Sequence, residues 1–342
     1  MRTVYSPDHA KRDARSELHG GRLVAPFECP RRAELIRRAV DDARLGPIVA
    51  PDAFGPEPVL RVHDAAFVDF LATVWERWQA AGFAGEAIPT VIPARRMQAR
   101  PVRNVEGLLG YYAMAIETAI DAGTFEAAWA AKDVALTATA LIADGDRAAF
   151  ALCRPPGHHA AFDLYGGYCF LNNAAIAAQA LLDRGAARVA VLDVDFHHGN
   201  GTQDIFYDRA DVSVLSLHGD PEDAFPHFSG FAEETGLGAG EGYNANFPLP
   251  PGTAWRGWSE ALEAALARLQ RFGADVLVVS LGVDTFADDP LGFFRLTRAD
   301  FARLGRRLGA LDLPTLYVLE GGYAVDAIGD NVVAVLGGHL DR

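Results

Sequence analysis

The sequence is poor in cysteine. Cys29, Cys153 and Cys169, three in 342 residues, are too few and too scattered for a disulfide framework or a CxxC zinc site. That scarcity points to a reducing, cytoplasmic setting. No run of about 18 apolar residues is present to span a membrane. The opening stretch, MRTVYSPDHAKRD, lacks the apolar core of a secretory signal. Linkers, internal repeats and low-complexity tracts are also missing. One domain over 1–342 is therefore expected, although length alone would suggest two. Positive charge is in deficit: 31 Lys and Arg against 45 Asp and Glu leave a formal net charge of −14. Such a surface argues against nucleic acid as a partner, because binding a phosphate backbone needs basic residues. An acidic field draws in cationic substrates, although acidity also serves solubility alone.

What is present is ample material for a core, with 50% hydrophobic residues. The chain is organised around RVAVLDVDFHHGNG, residues 188–201. Its first half is an apolar run, broken only by Asp193, that suits a strand buried on both faces of a parallel sheet. Its second half is polar and ends in glycines ahead of a helix at Thr202. Asp195 and His197 are two apart, so strand-like geometry would point both side chains the same way.

N-terminal to this stretch, the spacing predicts a short strand at 2–5 and helices at 30–43, 65–82, 105–121 and 127–143. Asp64 is placed to cap the second of these helices. Residues 45–61 and 83–104 read as loop, the latter a long insertion with three prolines and four arginines. Then strands at 148–153, 189–194, 212–217, 276–281 and 315–319 alternate with helices at 173–183, 202–207, 256–271, 298–310 and 326–337. Residues 218–254 read as irregular. This alternation implies an α/β fold with a parallel sheet covered on both faces.

Four strand ends carry polar clusters. RPPGHH (His158, His159) follows 148–153; Asp195, His197 and His198 follow 189–194; GVDTF (Asp284) follows 276–281; EGGY (Tyr323) follows 315–319. Parallel strands put all four on one rim of the sheet, where such folds bind ligands. Asp195, His197 and Asp284 would give a divalent transition metal three ligands and leave a position open for water. His158 and His159 can handle protons, with Asp193 and Asn200 as partners that fix their tautomers. The Tyr323 hydroxyl can donate to a developing oxyanion, next to Gly321 and Gly322. The reaction class is metal-assisted hydrolysis of a carbonyl compound, an amide above all. Cys153 and Cys169 read as core residues rather than nucleophiles.

RPPGHH, DVDFHHGNGT, GVDTF and EGGY, in that order and spacing, resemble the histone deacetylase superfamily. LHGGRLVAPFECPRRAE, the 83–104 insertion and GGYCFLNN are similar to its bacterial acetylpolyamine amidohydrolase branch. The resemblance covers essentially the whole chain. It implies the single-domain arginase–deacetylase fold, a central eight-stranded parallel sheet flanked by helices. It further implies a Zn²⁺ site (with Fe²⁺ or Co²⁺ able to substitute) and release of acetate from a small cationic acetylated substrate. A homodimer formed through the insertion is expected.

Residue by residue, the resemblance makes Asp195, His197 and Asp284 the metal ligands, His159 the general base and acid, His158 its electrostatic companion, and Tyr323 the carbonyl-polarising group. Tyr168 and Phe225, with Gly167 beside the first, match the walls of the acyl-chain tunnel, and Leu291 a variable gatekeeper. Asp193, Asp195, His197, Ser216 and Leu217 match one potassium site; Phe206, Arg209, Val212 and Tyr243 match a second, built from backbone carbonyls. Two departures stand out. Asn200 replaces the aspartate of many nuclear deacetylases, which should leave His159 less basic. Leu291 is not the acidic gatekeeper of one polyamine-specific branch, so a carboxylate that reads an ammonium must come from Glu17, Glu106 or Glu117. A protein lysine deacetylase is the alternative reading. A binuclear manganese ureohydrolase fits poorly, because Gly199 and Phe286 stand where those relatives place aspartates. A non-catalytic binder fits poorly too, given Tyr323 and both tandem histidines.

Overall fold

A computed structural model describes residues 1–341. Its strands, in chain order, are β1 (Arg2–Val4), β2 (Glu17–His19), β3 (Arg22–Val24), β4 (Ile48–Val49), β5 (Ala148–Ala151), β6 (Val189–Asp193), β7 (Val212–Gly219), β8 (Asn244–Leu249), β9 (Val276–Leu281) and β10 (Thr315–Leu319). Eight of them form one parallel sheet in the order β4-β1-β5-β10-β9-β6-β7-β8, while β2 and β3 make a separate antiparallel hairpin.

The central strands are apolar throughout because both faces are covered. On β6, Val189 and Val191 turn to the face packed by the helices Thr124–Ala143 and Asn173–Asp183. Ala190 and Leu192 turn to the other face, under Trp255–Phe272, Arg298–Gly309 and Val325–Leu340. β9 divides in the same way, with Val276 and Val278 on the first face and Leu277, Val279 and Leu281 on the second. Asp193, at the end of β6, lies in register with Ser216 of β7 and Ser280 of β9.

Several expectations need correction. The loop expected at 45–61 contains β4, a two-residue edge strand, and the short helix Glu57–Leu60. The irregular 218–254 contains β8. Pro248 hid that strand; it is tolerated because β8 is an edge, where an absent N–H breaks no ladder on the open side. The helix expected at 105–121 stops at Tyr111. Extended pairing takes over from there: Ala113 bridges Tyr165, and Ile120 bridges Ala87 of the insertion. The next helix begins at Thr124, earlier than expected. The strands expected at 148–153 and 189–194 end at Ala151 and Asp193. Asp64 caps the helix Ala65–Ala80 through two amides, as its position suggested.

Four neighbouring strands, β5, β10, β9 and β6, form the middle of the sheet. They are the four whose carboxyl ends carry the polar clusters, so the topology gathers those clusters at one place.

Candidate active site

Asp195 and His197 lie just beyond β6, and Asp284 just beyond β9. Their potential ligand atoms lie within 4.8 Å of one another, and all three residues are buried. His197 Nδ1 stands 3.2 Å from Asp195 Oδ1 and 3.2 Å from Asp284 Oδ2. Backbone amides aim the carboxylates: Gly321 and His197 donate to Asp195, each at 2.8 Å, and Phe196 donates to Asp284 at 2.8 Å. Gly321 must be glycine, since a Cβ there would lie 2.3 Å from Asp284 Oδ2 and 2.6 Å from Asp195 Oδ2.

The electrostatics of this cluster call for a cation. Burial, and then the charge of Asp195, pushes the Asp284 carboxyl up to about 8. Burial would lower His197, but Asp195 and Asp284 outweigh it and raise the imidazole to about 9. The same kind of contest runs the other way at Asp195: burial would raise it, and His158 and His197 hold it below the usual carboxylate range. Two carboxylates and an imidazole nitrogen, desolvated and convergent, are a donor set that zinc or a similar divalent ion accepts. The sequence-predicted ligand set fits such an ion.

His158 and His159 follow β5, with ring centroids 4.1 Å apart. His158 Nδ1–H donates to Asp193 at 2.9 Å, and His159 Nδ1–H donates to Asn200 Oδ1 at 2.6 Å. The two partners differ in charge, and the histidines diverge accordingly. Burial disfavours the imidazolium of His158, but Asp195 and Asp193 outweigh it and raise the residue well above its ordinary value. Burial and the charges of His158 and His197 press His159 well below its own. Neighbouring groups driven apart in this way can divide acid and base roles.

Tyr323 follows β10 and is buried against Tyr168, ring centroids 5.6 Å apart. Its amide donates to Asp289 Oδ2 at 2.6 Å, and the Ala324 amide donates to the same oxygen at 3.0 Å. Asp289 also accepts the Leu291 amide at 3.0 Å, so one carboxylate ties the Tyr323 loop to the Leu291 loop. Nothing in the ADDPLG sequence signalled that role.

A cavity of about 360 Å³ leads to these groups; His159, His197 and Tyr323 line it together with Glu17, Glu117, Gly167, Tyr168, Phe225 and Leu291. Gly167 has φ +55°, and a Cβ there would lie 2.3 Å from His159 Cδ2, so only glycine fits beside that ring. The Phe225 ring meets His159 edge-on at 5.2 Å. Glu17 accepts the Tyr168 hydroxyl at 2.7 Å, and Glu117 accepts the Gly167 amide at 2.7 Å. Of the three candidate carboxylates, Glu106 does not line the cavity; it sits in the first turn of Val105–Tyr111. Asp223 lines the cavity and escaped the sequence reading, inside a stretch without periodicity.

Around Asp193, Ser216 is buried and its hydroxyl pairs with His218 Nδ1 at 2.8 Å. Leu217 follows on β7. Of the residues expected to form a second potassium site, the Arg209 amide donates to the Phe206 carbonyl at 3.1 Å. Tyr243 lies against β7, its carbonyl accepting the Val214 amide at 2.9 Å, two residues beyond Val212.

Comparison with known proteins agrees with this architecture. Residues 26–338 match the histone deacetylase domain. The chain is 57% identical to an acetylpolyamine amidohydrolase from Mycoplana ramosa, covering 99% of each. It is 53% identical to acetylpolyamine amidohydrolase 1 from Pseudomonas aeruginosa, again over 99% of each. The crystal structure of an acetylpolyamine aminohydrolase from Burkholderia pseudomallei superposes with a TM-score of 0.93 at 42% identity, covering 100% of this chain and 99% of that one. The HDA15 HD domain superposes at 0.82 with 26% identity, covering 99% and 89%.

Proposed function

The chain belongs to the histone deacetylase family, and from that premise we propose that it hydrolyses acetylated polyamines to acetate and the free amine. One juxtaposition carries the reading: Asp195, His197 and Asp284 meet Tyr323 and the tandem histidines at a cavity whose lining includes Glu17, Glu117 and Asp223. Acidic groups above an amide-cleaving site suit a substrate that keeps an ammonium. The names of the M. ramosa and P. aeruginosa relatives support the same substrate class.

Asp195, His197 and Asp284 would hold one divalent ion, Zn²⁺ by their donor set, with Fe²⁺ or Co²⁺ able to replace it. A bound ion of that kind supplies Lewis-acid polarisation of the amide carbonyl and lowers the pKa of water. Tyr168 and Phe225 confine the substrate's methylene chain. His159, neutral because of burial and its cationic neighbours, takes the proton of the attacking water and returns one to the leaving amine. His158, held cationic by Asp195 and Asp193, stabilises the negative charge that develops. The Tyr323 hydroxyl donates to the oxyanion.

Around this centre, K⁺ is expected at Asp193, Asp195, His197, Ser216 and Leu217, and at the Phe206, Arg209, Val212 and Tyr243 carbonyls. The insertion exposes Val91, Ile92, Met97 and Val102, which suits a homodimer formed through it. Three unpaired cysteines suit the cytoplasm, and no helix among the described residues is long and apolar enough to cross a membrane. A binuclear ureohydrolase remains a poor fit: a Cβ at Gly199 would already lie 2.2 Å from Asp193 Oδ2, leaving no room for a further carboxylate.

Rates on acetylputrescine, acetylspermidine and an acetyl-lysine peptide, compared side by side with metal content measured, test the reading. The two acetylpolyamines are expected to be cleaved far faster; a clear preference for the peptide would make the enzyme a protein deacetylase instead.

A further inference from the structure

Behind the tandem histidines lies a second convergence of metal-ligating groups. His158 and Cys169 come from the long loop after β5 and Glu320 from the end of β10; all three are buried, and their ligand atoms lie within 4.8 Å of one another. The mechanism above uses neither Cys169 nor Glu320. One carboxylate oxygen of Glu320 is committed to the chain, accepting the Gly157 amide at 2.6 Å and the His158 amide at 3.1 Å. The other, Oε1, is buried with no hydrogen-bond partner. The Cys169 thiol reaches the Gly167 carbonyl at 3.4 Å, a weak contact. His158 gives Nδ1 to Asp193, which leaves Nε2 as the nitrogen it can offer.

A buried carboxylate oxygen without a partner is costly unless something positive meets it. Nitrogen, sulfur and oxygen in one cluster match zinc and the softer cadmium better than magnesium or calcium. Charge also balances. A Cys169 thiolate and the Glu320 carboxylate carry two negative charges, and binding releases both the thiol proton and the Nε2 proton of His158 to solvent.

We propose that His158, Cys169 and Glu320 form an inhibitory site for a second, thiophilic divalent ion. Occupancy takes the His158 nitrogen that faces the reaction and so stops turnover, while the ion at Asp195, His197 and Asp284 stays in place. The inhibition rests on the deacetylase reading; the binding does not.

The test titrates Cd²⁺ into enzyme that holds its catalytic ion. In the wild-type chain a second ion per chain should bind, a cadmium–thiolate charge-transfer band should grow in the ultraviolet, and activity should fall in step. Cys169→Ala should keep basal turnover, lose the band, and need at least about tenfold more cadmium for the same inhibition. Cys29→Ser and Cys153→Ser should retain the band. A band or second ion that persists in Cys169→Ala, or equal sensitivity of that variant and the wild type, would overturn the proposal. Should the chain prove inactive on every acetylated amine, the band and the ion count still decide whether the site exists.

Discussion

The guanidinium of Arg32 lies 4.8 Å from the ring centroid of Tyr323, and it donates to the carbonyls on either side of Gly321: Nη2 to Glu320 and Nε to Gly322, each at 2.7 Å. Its remaining nitrogen, Nη1, donates to Glu28 at 2.9 Å. Arg32 is therefore a clamp on the loop that presents Tyr323, the proposed oxyanion donor. Lysine cannot reproduce the planar fork. Arg32→Lys should lower kcat on the order of 10²-fold, as a small misplacement of a reacting group does, with KM little changed. Steady-state kinetics check this; a change confined to KM would show that the clamp does not act on Tyr323.

The opposite shifts of His158 and His159 set a pH profile. Activity needs His159 neutral, and its pKa is pressed down by burial and by cationic neighbours, so the acid limb of kcat/KM should lie below the ordinary imidazole range. His158 must stay protonated, and its carboxylate neighbours outweigh burial to raise it, so the basic limb should lie above that range. Asn200→Asp would place a carboxylate 2.6 Å from His159 and favour its imidazolium. The acid limb should then move to higher pH; an unmoved limb would show that His159 is not the base.

Acid should also weaken the fold. His63 is buried and neutral, donating from Nδ1 to the Ala161 carbonyl and accepting the Asn172 amide at Nε2, each at 2.9 Å. Burial lowers it from 6.5 to about 4. Below pH 6.5 the unfolded chain takes up the proton first, so this stability is complete above that pH and lost as pH falls toward 4. His218 behaves alike, again at about 4 through burial. Each contributes up to about 3 kcal/mol. Urea midpoints should fall steadily across that window; a flat profile would contradict the assignment of neutral buried histidines.

Glu117 projects into the cavity while accepting the Gly167 amide. Glu117→Gln keeps an acceptor and removes the charge. KM for acetylspermidine should rise roughly tenfold, the worth of one charge-assisted contact, while a neutral acetylated alkylamine should be unaffected. Equal effects on both substrates would mean a loop defect instead of lost ammonium recognition.

Much of this was legible in the sequence because the middle of the sheet is buried on both faces. β5, β6, β9 and β10 read as apolar runs, and each ends in the residues that meet at the site. The edges are different. β4 has two residues, and β8 contains Pro248 and leaves Pro248 and Leu249 only half-buried, so neither offers a periodic signal. Segment 112–121 passed for a helix because nothing local says that Ala113 and Ile120 pair with distant Tyr165 and Ala87. That segment carries Ile116 and Glu117 to the cavity, whereas Glu106 is left on the helix behind it. Asp289 and Asp223 act through contacts that only the folded chain brings about.

The central claim is that Asp195, His197 and Asp284 share one divalent ion that turnover requires. It is tested by counting metal per chain by mass spectrometry after exhaustive dialysis, in the wild type and in Asp284→Asn, alongside acetate release. The account predicts one retained ion and full activity in the wild type, and loss of both in the variant. A variant that keeps wild-type activity without its ion would contradict it.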